Sequence, residues 1–182
     1  MKTINGFSNE EIESTEKNMI QTKDPKFTLR FATPEDAGLV VIYMKKLGAF
    51  QKMLEKITAT EEGIHKLLLE GKGEAVFGDY EGQTVGFVYF CQNSSAFIGQ
   101  SGLYIDGFLI DEAARSKGLG EIMMAFMSKL AVERGCERLE WGCLDWNEPT
   151  IRFYRNMGAY SVDAMTIFRF SPDQLKVNAG RF

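Results

Sequence analysis

Apolar positions along this chain repeat with two periods. Leu119, Ile122, Met123, Phe126, Met127, Leu130 and Ala131 recur as one face of a helix. The pattern predicts a helix over residues 118–133, ended by Gly135. Residues 26–31 alternate as a strand. Thr33-Pro34-Glu35-Asp36 then reads as an N-cap, an early proline and an acidic capping partner, opening a helix to about Leu47. A second helix is expected from Thr60 to Gly71. Strands are expected over 74–79 and 84–91, with Glu81-Gly82 as their turn, then over 103–111 and 137–144. Asn147 caps a helix that ends near Gly158, and residues 160–170 supply one or two final strands. The order β-α-α-β-β-β-α-β-α-β-β predicts a mixed α/β fold with a largely antiparallel sheet. Ahead of it, Ser8-Asn9-Glu10-Glu11 reads as a capping box. It would open a short helix to about Met19, with Ile12, Met19 and Ile20 as its apolar side. The expected organisation is an N-terminal extension over 1–25 and one domain over 26–182.

Composition narrows the classes. The chain has 182 residues, which suits one domain with a substantial core, and 45% are hydrophobic, which excludes a disordered polypeptide. A net charge of −4 argues against nucleic-acid binding and gives no attraction to an anionic membrane. Cys91, Cys136 and Cys143 are too few for a disulfide framework and sit in apolar strand-like runs, so buried free thiols are expected. One histidine, His65, and no Cys-x-x-Cys pair leave no zinc site, and no metal is expected. No apolar run is long enough to span a bilayer and the N-terminus lacks a signal-peptide core, so cytoplasm is the expected location.

The chemistry concentrates at Arg115-Ser116-Lys117-Gly118-Leu119-Gly120, between an apolar strand and the 118–133 helix. A strand that turns through glycines into a helix presents unpaired N–H groups at the positive end of the helix dipole, which suits phosphate. Arg115 adds a fixed charge with fork geometry. The spacing is neither Gly-x-x-x-x-Gly-Lys-Ser/Thr nor Gly-x-Gly-x-x-Gly, so the loop is not that of a P-loop or dinucleotide fold.

Arg-x-x-Gly-x-Gly resembles the cofactor loop of the GCN5-related N-acetyltransferases, the GNAT superfamily. The block from Asp145-Trp146-Asn147-Glu148-Pro149 to Phe153-Tyr154 and Gly158 is similar to the family's Asn-x-x-x-x-x-x-Tyr-x-x-x-Gly segment, and closest to its diamine (spermidine/spermine) branch. The resemblance covers about residues 26–170. It implies a GNAT fold with acetyl-CoA at a splayed pair of parallel strands, held by Phe108, Leu109, Ile110, Arg115, Ser116, Lys117, Gly118, Leu119, Gly120, Glu121, Asn147 and Tyr154. It also implies Tyr154 as the general acid for the leaving thiolate, a contribution of about 10²-fold, and a homodimer. Asp106 is the candidate base, directly or through water, since an amine acceptor is mostly protonated at neutral pH. Glu140 and Asp145 are lesser candidates. The implied reaction is acetyl transfer to a primary amine of a small molecule. A non-catalytic acyl-CoA-binding module and a protein or peptide acetyltransferase are the alternatives.

The acceptor is where residues and resemblance diverge. The diamine branch carries Glu-Asp where this chain has Asp106-Gly107, and the segment 48–55 includes Lys52 and little acid. A cation about 4 Å from Lys52 is repelled by roughly 4 kcal/mol at an effective dielectric of about 20. A small amine, such as an amino acid or lysine analogue, is therefore expected in place of a polyamine.

Overall fold

A computed structural model describes residues 19–162 and 165–182. The helix expected to open at Ser8 lies outside them. The chain divides into two compact units, Met1–Leu144 and Asp145–Phe182.

The first unit is one six-stranded sheet in sequential order, β1 (Ile20–Gln21), β2 (Phe27–Phe31), β3 (Glu74–Tyr80), β4 (Gln83–Ser95), β5 (Gln100–Ile110) and β6 (Arg138–Trp141). Neighbours from β1 to β5 are antiparallel, and β6 runs parallel to β5. A parallel pair needs a crossover, and α3 (Leu119–Glu133) provides it. Helices α1 (Ala37–Phe50) and α2 (Glu61–Leu69) pack against the opposite face, over Ala75, Phe77, Phe87, Tyr89 and Leu109. On the α3 face, Met123 sits against Gly78 and Gly86. The sheet is thus mixed, mostly antiparallel and flanked by helices, with one strand, β1, ahead of the expected first.

Local signals place the ends of these elements. Thr60 Oγ1 accepts the Gly63 N–H and caps α2. Asp36 accepts from the Thr33 N–H and pairs with both Arg30 nitrogens at 2.8 and 2.9 Å, which ties the turn ahead of α1 to β2. Burial would raise the Asp36 carboxyl, but Arg30 and the Thr33 N–H outweigh it and hold it below the usual carboxylate range. At the far end of α3, Arg134 pairs with Glu74 of β3.

Several expectations need correcting. Ile20 pairs with Leu29 as the start of the sheet, so it does not extend a leader helix. β4 runs on to Ser95 and β5 begins at Gln100, because the hairpin tip is half-exposed and its polar residues give no apolar alternation. β6 stops at Trp141, short of Leu144. Of the cysteines, all free, only Cys136 is buried, and Cys91 and Cys143 are half-buried.

The second unit contains α4 (Glu148–Asn156) and α5 (Pro172–Ala179). Among the described residues, 160–170 form no strand. Tyr160, Ile167 and Phe168 are over 80% exposed, so the segment lacks the burial that turns an apolar pattern into a strand. Helix α5 was not expected, although Ser171-Pro172 is a start signal, and Ser171 Oγ accepts the Gln174 N–H there.

Candidate active site

The candidate site begins where two strands part. Parallel pairing of β5 with β6 covers Gly102–Arg138 to Ile105–Trp141 and stops there. β5 continues to Ile110, paired with β4 alone. Phe108, Leu109 and Ile110 therefore lie on an edge that faces no strand on the β6 side. Backbone groups need partners, so a strand running on past the end of its parallel ladder suits a ligand with amide groups.

The parting coincides with a β-bulge. Tyr89 pairs with Gly107 and Phe90 with Ile105, which leaves Asp106 as the extra residue of β5. A bulge bends its strand and re-aims a side chain, here a carboxylate on an exposed residue. Tyr89 and Cys91 both feel this charge. Burial first, and Asp106 second, push the Tyr89 hydroxyl and the Cys91 thiol up. Both therefore stay protonated at neutral pH. Gly107, next to the bulge, lies so close to α1 that a Cβ there would meet Met44 Sδ at 3.0 Å and Leu47 Cδ2 at 3.4 Å.

Beyond β5 the chain makes one 3-10 turn, Glu112–Ala114, and reaches the loop. Ser116 and Gly118 are both left-handed, with φ of 62° and 76°. Gly118 is the N-cap of α3, where glycine carries no Cβ penalty. No side chain caps this helix end. The first N–H groups of α3, around Leu119, Gly120 and Glu121, have no partner within a helix by its geometry. An anion is the natural partner for such groups.

Arg115 is built into the turn. Its Nε donates to the Ile110 carbonyl at 3.0 Å, and its guanidinium lies over the Phe50 ring at 4.8 Å. Lys117 instead turns its ammonium over Tyr80, 4.5 Å from the ring centre. At the end of β5, Asp111 receives Lys46 at 2.8 Å, and the Tyr43 hydroxyl lies 3.3 Å away while donating to the Thr84 carbonyl at 2.7 Å. Lys46 and Phe50, one turn apart on α1, thus lock that helix to the strand end and to the loop. Sequence reasoning did not find this clamp, because its partners are 65 residues apart. Lys52 stands exposed just past α1, with φ of 57°.

In the second unit, Asn147 and Tyr154 stand two turns apart on α4, and both are buried. Asn147 occupies the N-cap position, and its carbonyl accepts from Thr150 and Ile151. Its side chain makes no capping bond, contrary to expectation. The Tyr154 and Phe153 rings lie 5.2 Å apart.

Among the described residues, no group of three or more His, Cys, Asp or Glu is placed to hold a metal ion. No helix among them is long and apolar enough to cross a membrane.

Comparison with known proteins agrees with this geometry. Residues 42–159 match the model of the acetyltransferase (GNAT) family. The chain is 36% identical over 91 residues to L-ornithine N5-acetyltransferase NATA1 of Arabidopsis thaliana, a match to half of this chain and 40% of that protein. It is 30% identical to the thialysine N-epsilon-acetyltransferase of Caenorhabditis elegans, over 70% of this chain and 79% of that one. An aminoglycoside acetyltransferase from an uncultured soil metagenomic sample shares its fold, with a TM-score of 0.68 at 17% identity over 80% of this chain and 99% of that one. The relatives single out no one branch. With the splayed strands and the uncapped helix end in the family's order, the chain belongs to the acetyltransferase (GNAT) family and is an acetyl-CoA-dependent N-acetyltransferase of small-molecule amines.

Proposed function

We propose that the chain transfers the acetyl group by direct attack of the amine in a ternary complex, with Asp106 as base and Tyr154 as acid. Acetyl-CoA supplies a thioester, an activated acyl group with a thiolate as leaving group. Asp106, directly or through one water, takes a proton from the acceptor ammonium, which frees the nitrogen lone pair. As the new N–C bond forms and the C–S bond breaks, the Tyr154 hydroxyl gives its proton to the sulfur, the second proton shed by the nitrogen passes through solvent to restore the tyrosine, and Asp106 releases its own proton to solvent. The backbone N–H near Phe108 stabilises charge on the carbonyl oxygen. The loop of Arg115, Ser116, Lys117, Gly118, Leu119, Gly120 and Glu121 holds the pyrophosphate, and Asn147 holds an amide of the pantetheine arm.

One observation carries this reading. The β5–β6 pairing ends at Ile105, one residue before the carboxylate that the bulge turns outward. The acceptor we propose is a small primary amine of the amino-acid kind, distinct from the polyamines of the diamine branch, and two relatives are named for ornithine and thialysine. The protein is proposed to work in the cytoplasm as a homodimer.

The test is thiol release from acetyl-CoA against amino acids, lysine analogues, polyamines and aminoglycosides. Tyr154→Phe should lower kcat about 10²-fold with little change in cofactor affinity. Asp106→Asn should cost most at low pH, where the amine is hardest to deprotonate. Wild-type turnover by both variants on the best acceptor would remove the assignment.

A further inference from the structure

The face of the sheet that carries Asp106 continues past it into a polar strip that the transfer step does not use. Cys91 pairs with Tyr104, and Tyr89 pairs with Gly107, so Tyr104 and Gly107 share a face with Tyr89 and Cys91. Gly102 lies two residues before Tyr104 on that face. A Cβ at Gly102 would meet Asn93 Oδ1 at 2.7 Å and Arg138 Cβ at 3.4 Å. Gly102 pairs with Arg138 and Tyr104 with Glu140 across the parallel ladder. Arg138 and Glu140 therefore point to the same side as Tyr104, two residues before Asp106.

These two residues form a pair of opposite charge, Arg138 NH1 to Glu140 Oε1 at 3.5 Å, with side chains 35% and 39% exposed. The pair is incompletely satisfied. Arg138 Nε and the acceptor Asn93 Oδ1, both buried, have no hydrogen-bond partner among the described residues and flank Gly102, while the end of the Arg138 side chain stays half-exposed beside Glu140. A guanidinium with an unmet N–H seeks an acceptor oxygen, and a carboxylate with open lone pairs seeks a donor. A group carrying an ammonium and a carboxylate on one carbon offers both at once. Docked head to tail on a fixed ion pair, it brings no net charge into the half-buried strip. A lone carboxylate would take any cation, whereas an ion pair selects a zwitterion.

The spacing fits. Glu140 stands level with Tyr104, two residues along the strand from Asp106. At about 3.3 Å per residue that is roughly 7 Å, which the extended side chain of ornithine or lysine spans between its two nitrogens.

We propose that Arg138 and Glu140 form a head-group subsite, which holds the zwitterionic α-amino-acid end of the acceptor while Asp106 meets its ω-amine. The proposal rests on the transferase reading above and adds the residues that select the acceptor.

The experiment compares L-ornithine and L-lysine with 1,4-diaminobutane and 1,5-diaminopentane, which keep the amines and lack the carboxylate. Wild-type kcat/KM should favour the amino acids by about tenfold or more. Arg138→Met should raise KM for the amino acids about tenfold, with kcat, CoA affinity and melting temperature near wild type, and Glu140→Gln should raise that KM by a similar factor. Arg138→Met should leave kcat/KM for the diamines unchanged, since they lack the carboxylate that Arg138 would hold. If Arg138→Met fails to fold, Arg138→Gln keeps the stem, removes the charge and serves in its place. Equal losses on amino acids and diamines in the Arg138 variant would overturn the subsite, because they would mark a structural role. A wild-type preference for the diamines would overturn it and leave acetyl transfer standing. Failure to acetylate any amine would overturn the transferase reading, and the subsite with it.

Discussion

Asp106 and Gly107 show how much one inserted residue decides. In an unbroken strand they would point to opposite faces. The bulge instead puts Gly107 against Met44 and Leu47 and leaves Asp106 turned outward. An acid at position 107 has no room there. Gly107→Asp should therefore not create a polyamine enzyme. It should push a carboxylate into apolar side chains and cost about 2 kcal/mol or more. Urea unfolding with spermidine kinetics checks this, and a stable variant with raised spermidine turnover would contradict it. A related test sits at Gly73, where a Cβ would fall within bonding distance of the Tyr89 hydroxyl. Gly73→Ala should displace Tyr89 beside the candidate base and lower kcat more than cofactor affinity, as acetyl transfer rates and CoA titration would show. The candidate base was visible in the sequence as a residue. The bulge that aims it was not, because a bulge is a property of strand register, and register depends on a partner strand remote in sequence.

At the scale of elements, α1 does more than cover the sheet. Its last turn holds Arg115 through Phe50, and its middle holds Asp111 through Lys46. Arg115 thus enters the cofactor loop already oriented, which lowers the ordering cost of binding an anion. Replacing Phe50 with Leu keeps the apolar volume and removes the ring face. A cation–π contact contributes about 0.5–1 kcal/mol, so the Kd for CoA should rise about two- to fivefold. Calorimetry with an unchanged Kd would show that Arg115 needs no such support. The turn ahead of α1 carries a pH-dependent term. The Asp36 carboxyl is held below its unfolded value, so its stabilisation is full above about pH 4 and disappears as pH falls through the lower folded value. Arg30→Met should cost about 1.5–3 kcal/mol at neutral pH, and the gap to wild type should narrow in acid. Unfolding curves at pH 7 and pH 3 measure it, and a gap that widens in acid would reverse the assignment. Capping residues made the starts of α1 and α2 legible in the sequence. The Phe50–Arg115 contact was not legible, since it depends on where a helix end meets a loop far along the chain.

For the whole molecule, the sequence was most legible where local pattern and burial coincide, as in α3 and β3. It was least legible in the second unit. There the alternation over 160–170 reads as strand, yet the described residues form none and leave Met165, Ile167, Phe168 and Phe170 more than 60% exposed. An apolar pattern reports that burial is needed and does not say which surface provides it. The first unit ends its sheet at β6, whose outer edge has no neighbour strand among the described residues. A contiguous apolar stretch of this kind is uncommon on a protein that works alone. A second copy related by two-fold symmetry would cover the exposed 160–170 segment, because each subunit offers the same surface to the other. A stable interface buries about 1,200–2,000 Å² in total, and side chains the size of Ile167 and Phe168 from both copies would form its apolar centre. Light scattering at micromolar concentration should therefore report twice the 20.5 kDa mass of the chain. Ile167→Asp combined with Phe168→Asp places charges in that centre and should shift the mass to that of a monomer, while the melting of the first unit stays close to wild type. A wild-type protein that remains monomeric across this range would leave the exposed segment to another partner and end the dimer proposal.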